Sequence, residues 1–319
     1  MNFQAKLGTF LDLLWNLIGV KPKNNSFAME KALGRGTPKR IAVVTGANKG
    51  IGLEICRQLS SNGVQVLLTA RDEERGTAAV EKLRASGASD VVFHQLDVTD
   101  SVNASSLADF VRNQFGRLDI LVNNAGILGT ESDSQRRGGG SSFFMSRETY
   151  KKAEECLNTN YYGAKKVTEA LLPLLQLSQS PRIVNVSSVY GKLQGIPNRS
   201  IQREIGDVNR LSEKKLDELV HSFLNDFKEG KLSKNGWPTS FAAYTVSKVA
   251  LNAYTRILAR RYHTICVNCV NPGYVKTDIN GNSGILTVEQ GAKGPVMLAL
   301  LPDGSPSGLF YDQTRETSF

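Results

Sequence analysis

Short apolar runs recur along the chain, separated by longer stretches whose apolar positions fall at helical intervals. The runs are Ile41–Thr45, Gln65–Ala70, Val91–Gln95, Asp119–Val122, Arg182–Ser187, Thr264–Val270 and Gly308–Tyr311. Most are continuous rather than alternating, the pattern of strands covered on both faces. Ile51–Ser61 and Glu73–Ser86 read as helices between them. Strands alternating with helices predict an α/β fold, a doubly wound parallel sheet of about seven strands with right-handed crossovers.

Two segments interrupt this rhythm. Gly129–Ser146 is polar and glycine-rich, with Gly138-Gly139-Gly140, and is expected to be a mobile loop. Gly191–Ser240 is an insert between a strand end and the next helix. Within it Leu216, Leu219, Val220, Phe223, Leu224 and Phe227 share one helical face, and Gly230 supplies a stop. That helix serves either core packing or a lid. Residues 1–38 precede the first strand and are expected to form a flexible N-terminal extension; residues 39–319 are expected to form one domain, with the insert 191–240 near its substrate pocket. The apolar stretch Phe10–Ile18 is too short, and too interrupted by Asp12 and Asn16, to span a bilayer. It leaves surface association or organellar targeting open.

Candidate chemistry gathers where the runs end. Thr45-Gly46-Ala47-Asn48-Lys49-Gly50-Ile51-Gly52 follows the first run and opens a helix. Glycines allow a tight turn and close approach of a pyrophosphate, and the helix N-terminus offers free N–H groups. The spacing is G-x-x-x-G-x-G, a variant of the dinucleotide turn of Rossmann-type folds. The second run ends Thr69-Ala70-Arg71, with no acid before Arg71 to take a ribose 2′-hydroxyl. Arg71 and Lys49 suit a 2′-phosphate instead, so NADP(H) is expected over NAD(H). Further on, Tyr244 and Lys248 lie four residues apart, one above the other on a helix. A cation beside a phenol favours phenolate and would make Tyr244 a tuned acid/base.

Composition narrows the alternatives. The 319 residues are 40% hydrophobic and 22% charged, an ordinary globular balance. Of the net +9, more than half sits in the first 40 residues, where seven Lys/Arg face Asp12 and Glu30. The remainder is mildly basic, so no nucleic-acid partner is indicated. The four cysteines form no disulfide framework. Cys266-Val267-Asn268-Cys269 lacks a second pair to complete a metal site, so no metal is expected.

Three more motifs fall at strand ends: Asn123-Asn124-Ala125-Gly126, Ser187-Ser188 and Asn271-Pro272-Gly273-Tyr274-Val275-Lys276-Thr277. In order with the glycine turn and the Tyr244/Lys248 pair, they resemble the short-chain dehydrogenase/reductase family over residues 39–319. Phe93–Asp100, Leu172–Ser178 and Leu251–Arg256 resemble its plant carbonyl-reductase branch, which acts on alkaloid- and terpenoid-like ketones. The resemblance implies that Tyr244 is the catalytic acid/base and that Lys248 binds the nicotinamide ribose and lowers the tyrosine's pKa. It implies that Ser188 hydrogen-bonds the substrate oxygen and that Asn160 holds a proton-relay water. Gly46, Asn48, Lys49, Gly50, Ile51, Gly52, Arg71, Asp97, Val98, Asn124, Ala125, Gly126, Val275 and Thr277 would line the NADPH/NADP+ site, with Tyr244 and Lys248. The expected reaction is reversible NADPH-dependent reduction of a small lipophilic carbonyl by a cytoplasmic monomer. One member of that branch reduces an alkene and lacks the tyrosine; Tyr244 therefore favours carbonyl chemistry. The Gly129–Ser146 loop is shorter than the branch usually carries. A catalytically quiet NADP(H)-binding interaction protein is the alternative reading.

Overall fold

A computed structural model describes residues 39–131 and 147–319. The extension expected over 1–38 and most of the loop expected over Gly129–Ser146 lie outside the described residues. Eight strands form one sheet: β1 (Ile41–Val44), β2 (Gln65–Ala70), β3 (Val91–Gln95), β4 (Ile120–Asn123), β5 (Arg182–Val186), β6 (Cys266–Asn271), β7 (Phe310–Asp312) and β8 (Arg315–Thr317). Their order is β3-β2-β1-β4-β5-β6-β7-β8, parallel except for the β7–β8 pair. The sequence expectation of about seven strands thus falls short by β8. That strand reads Arg-Glu-Thr and pairs only with β7, so no apolar pattern marks it.

β1, β4 and β5 are buried along their whole length, as strands covered by helices on both faces are, with Asn123, Arg182 and Asn185 as buried polar members. One face carries α1 (Gly50–Ser61), α2 (Glu73–Ala85) and α10 (Val288–Ala299), whose buried Ile55, Val80 and Leu298 join Val44, Leu68 and Ile120 in one cluster. The other carries α3 (Ser101–Phe115), α4 (Tyr150–Leu157), α5 (Ala164–Leu175) and a long helix over Ala242–Arg261, whose buried Leu107, Leu171 and Val249 meet Val43 and Leu121. A π turn, Asn158–Gly163, joins α4 to α5.

The insert holds α6 (Arg199–Gly206), α7 (Glu213–Lys228) and α8 (Leu232–Asn235) before α9 (Ala242–Arg261). Ser212 caps α7 by accepting from Lys215 N. Leu216, Val220 and Phe223 on its apolar face are buried in the second cluster. Its apolar stripe therefore belongs to the core, which resolves the choice between packing and lid. Beneath β1 the Asp119 carboxylate, just ahead of β4, accepts from Ile41 N at 2.8 Å, Ser178 Oγ at 2.5 Å and Arg117 Nε at 3.1 Å. This knot ties the N-terminal ends of β1 and β4 to the end of α5.

Candidate active site

Strand order reverses between β1 and β4, which opens a crevice at the carboxyl ends of those strands. The glycine turn fills one side of it. Gly46 and Gly50 have φ of +61° and +57°, a region open to glycine at little strain. A Cβ on Gly52 would lie 2.4 Å from Asn124 Nδ2, and one on Gly46 2.8 Å from Ala125 Cα. Two of the three glycines thus answer to the neighbouring loop rather than to a ligand. Asn124 is the reciprocal part: its Nδ2 donates to Thr45 O at 2.9 Å and Gly46 O at 3.1 Å. Thr45 Oγ1 accepts from the N–H groups of Asn124 and Ala125 at 2.9 and 3.0 Å. Asn124 and Ala125 hold the turn in shape. Lys49, the N-cap of α1, supplies no side-chain cap, and the first turn carries no acid. Its N–H groups are left for an anion, as a pyrophosphate site requires. Asn48 and Ile51 flank that end.

At the end of β2, Arg71 is exposed and its side chain takes no hydrogen bond or ion pair among the described residues. Asp72 accepts from Arg75 N at 2.9 Å and caps α2. The nearest acid is therefore committed to the helix. Lys49 differs from expectation: its Nζ pairs with Asp278 at 2.6 Å, both side chains more than half exposed. Asp97 Oδ1 accepts from Thr99 N and Oγ1 at 2.9 and 2.7 Å, which leaves Oδ2. Val98 is buried, with Cγ2 2.8 Å from where a Gly163 Cβ would stand.

α9 carries Tyr244, Ser247 and Lys248. Tyr244 is half-buried, its ring centroid 5.9 Å from that of Tyr190, and Ser188 stands near enough to act on its phenol. Burial pushes the phenol up to about 12, with Ser188 opposing. Lys248 is buried; its Nζ donates to Val186 O at 2.9 Å and stands 5.6 Å from the Tyr244 ring centroid. Burial brings its ammonium down to about 8. The expectation that Lys248 lowers the tyrosine's pKa is not met in this structure. Desolvation dominates both groups, and it drives them apart, the phenol up and the ammonium down.

Asn160 sits in the π turn with its amide fully engaged. Its Oδ1 accepts from Ile127 N at 2.8 Å, and its Nδ2 donates to Ile127 O at 2.9 Å and Ser247 Oγ at 3.0 Å. A Cβ on Gly126 would lie 3.3 Å from Asn160 Oδ1 and 3.5 Å from Lys248 Nζ. The crevice thus brings Gly126, Asn160 and Lys248 together. Val275 is buried against Gly291; its N–H donates to Gly273 O at 3.1 Å and its carbonyl accepts from Asn280 Nδ2 at 2.8 Å. Thr277 Oγ1 donates to that same carbonyl at 3.4 Å. Contact of these two with a carboxamide would exchange those internal bonds.

Sequence reasoning passed over Ser247, which accepts from Asn160 and donates to Tyr244 O at 2.7 Å. It also passed over Glu148, Thr45 and Tyr190. Ser247 lies within the Tyr-to-Lys interval, so a helical wheel could have flagged it. Glu148 carries no local signal at all. A cavity of about 270 Å³, lined by Thr130, Glu148, Phe227, Leu232, Thr239, Ser240 and Phe241, adjoins the start of α9. Among the described residues, six of the eight exposed large apolar side chains (Ile127, Val189, Tyr190, Tyr274, Ile279, Ile285) stand on loops following β4, β5 and β6.

A family profile described as short chain dehydrogenase matches residues 40–201 and 231–285. The chain belongs to the short-chain dehydrogenase family. Short-chain dehydrogenase/reductase 1 of Saponaria officinalis is 57% identical over 291 residues, covering 88% of this chain and 96% of the relative. The solved structure of salutaridine reductase from Papaver somniferum matches with TM-score 0.81 and 52% identity, over 86% of this chain and 99% of that one. That of menthone neomenthol reductase from Mentha piperita matches with TM-score 0.77 and 44% identity, over 87% and 99%. As a short-chain dehydrogenase the protein is an oxidoreductase acting between CH–OH and C=O with a nicotinamide cofactor. The profile leaves out 202–230, the heart of the helical insert by which this chain departs from the general short-chain dehydrogenase pattern. Among the described residues no helix is long and apolar enough to cross a membrane.

Proposed function

We propose that the protein is an NADPH-dependent reductase of small lipophilic ketones or aldehydes, terpenoid- or alkaloid-like in character, working reversibly and as a monomer in the cytoplasm. The observation that carries this reading is the placement of the half-buried Tyr244 phenol beside Ser188, with Lys248 Nζ 5.6 Å from its ring, where burial keeps the phenol protonated. A phenol that keeps its proton at neutral pH is set to donate it, and so favours the reductive direction. The apolar side chains on the loops after β4, β5 and β6 supply the surface that a lipophilic substrate needs. The plant reductases reported above support the same substrate class.

The crevice fits a phosphorylated dinucleotide on its own features: a glycine turn with positive φ, an uncapped helix N-terminus and a cation at the end of β2. Gly46, Gly50, Gly52, Asn48, Lys49 and Ile51 would cradle the pyrophosphate. Arg71 would take the 2′-phosphate, and Lys49 would join it by leaving Asp278. Asp97 and Val98 would meet the adenine, Asn124 to Gly126 the cofactor's central part, and Val275 and Thr277 the carboxamide. When bound, NADPH supplies the hydride. Tyr244 donates its proton to the oxygen that becomes an alkoxide, and Ser188 donates a hydrogen bond to the same oxygen. Lys248 would bind the ribose hydroxyls. Asn160 acts through the loop it clamps at Ile127, on the side of Gly126 that faces Lys248.

Tyr244→Phe tests the reading. Turnover of a lipophilic ketone panel with NADPH should fall by at least about three orders of magnitude, while NADPH binding stays within about twofold. Turnover at the wild-type rate would remove Tyr244 from the reaction. No turnover of any ketone by the wild-type protein, with NADPH still bound, would favour the catalytically quiet alternative.

A further inference from the structure

We propose that Glu148 is a positioning residue for the reaction, one that fixes the first turn of α9 and thereby the aim of Tyr244. The inference rests on the reading of Tyr244 as the proton donor. A helix begins with N–H groups that have no partner inside it, and a side chain at the N-cap normally takes them. The N-cap of α9 is Phe241, a residue with no acceptor atom in its side chain, held at φ +47°. Glu148 takes the role from 94 residues away. Its Oε2 accepts from Ala242 N at 2.9 Å and its Oε1 from Ala243 N at 3.0 Å. The next residue is Tyr244. The helical ladder then starts at Thr245 N, which donates to Phe241 O at 2.8 Å.

The carboxylate is itself fixed on both sides. Glu131 N donates to Arg147 O at 2.9 Å immediately before it, and Thr149 immediately after it caps α4. Two N–H bonds from one planar group restrain both the tilt and the twist of the turn, as one bond could not. The negative charge also suits the positive end of a twenty-residue helix. Burial raises the proton affinity of Glu148, and only these two N–H groups oppose that rise. The carboxylate is thus held in a half-buried place by the groups it orients. Tyr244 has to meet Ser188 on a different element, the turn after β5, so a small swing of the α9 start is a direct loss of alignment. Misplacement on the ångström scale costs about a hundredfold in rate.

The test is Glu148→Gln, which keeps shape and one acceptor but turns an NH₂ toward the second N–H. The measurements are kcat, KM for a ketone, the NADPH dissociation constant and the melting temperature. Val111→Ala, the loss of two methyl groups from the buried face of α3, serves as a stability-matched control. The expected result is a tenfold to hundredfold fall in kcat with NADPH affinity within about twofold, while Val111→Ala keeps wild-type kcat. Combined with Ser188→Ala, Glu148→Gln should add less than its separate effect, because the two act on one alignment. The proposal is overturned if kcat of Glu148→Gln stays within twofold of wild type. It is equally overturned if its loss adds fully to that of Ser188→Ala, or if Val111→Ala loses kcat in the same proportion to its melting temperature. If Tyr244→Phe retains turnover, the reading of the site fails instead, and Glu148 with it.

Discussion

Replacing Lys248 by methionine should make the free protein more stable at neutral pH while removing its activity. The ammonium is 4% exposed, and burial takes it from a free lysine's 10.5 to about 8. At about 1.4 kcal/mol for each tenfold change in proton affinity, keeping it charged at pH 7 costs about 3 kcal/mol. The lost hydrogen bond to Val186 O offsets this by about 1 kcal/mol, leaving a net gain near ~2 kcal/mol. The pH dependence is the sharper signature. Because the folded-state affinity is depressed, the unfolded chain binds more protons between about 8 and 10.5, and wild-type stability rises with pH across that window. The gap between the two proteins should therefore close by about 2 kcal/mol from about pH 7 to about pH 9.5. Urea unfolding of both proteins across that range, without cofactor, reads it directly. A difference that stays constant with pH would refute the argument, because the hydrogen-bond offset does not titrate in this way. The loss of turnover alongside a gain in stability would mark Lys248 as a group retained for chemistry at the expense of the fold.

Arg71→Asp should reverse cofactor preference, weakening NADPH by about ten- to hundredfold on the loss of a charge-assisted contact, with NADH little changed; fluorescence titration of both cofactors decides it. An unchanged ratio would move the 2′-phosphate elsewhere. Asp278→Asn frees Lys49 from its exposed partner and should tighten NADPH about two- to fivefold without altering NADH, an effect that shrinks at high salt. Equal tightening of both cofactors would show that the pair acts on the loop and not on the phosphate. Gly52→Ala should lower stability by about 1–3 kcal/mol and weaken both cofactors, since its Cβ would push on Asn124 2.4 Å away. Wild-type stability there would mean that the Asn124 clamp has slack.

Sequence revealed most where one property repeats or sits at a fixed offset. β1, β2, β4 and β5 show themselves because burial on both faces selects mostly apolar side chains, with Thr69, Asn123, Arg182 and Asn185 as the buried polar exceptions. Tyr244 and Lys248 declare themselves because four residues is one helical turn. What escaped depended on partners far along the chain. β8 has no core side and needs only β7. Thr45 looks like a turn residue until the strand order sets β4 beside β1. Glu148 caps a helix across 94 residues, and the sign of the Tyr244 shift depended on burial, which spacing does not encode.

The Asp119 knot gives the sheet two ends with separate duties. At one end a single carboxylate gathers a backbone amide, a hydroxyl and a guanidinium beneath β1 and β4. At the other, the loops after β4, β5 and β6 carry the apolar rim. Selection for a new substrate can rewrite those loops without loosening the fastening beneath, because no side chain in the knot faces the crevice. Drift in substrate range and drift in thermal endurance are thereby uncoupled, so a lineage built on this chain has room to acquire new substrates before its fold resists.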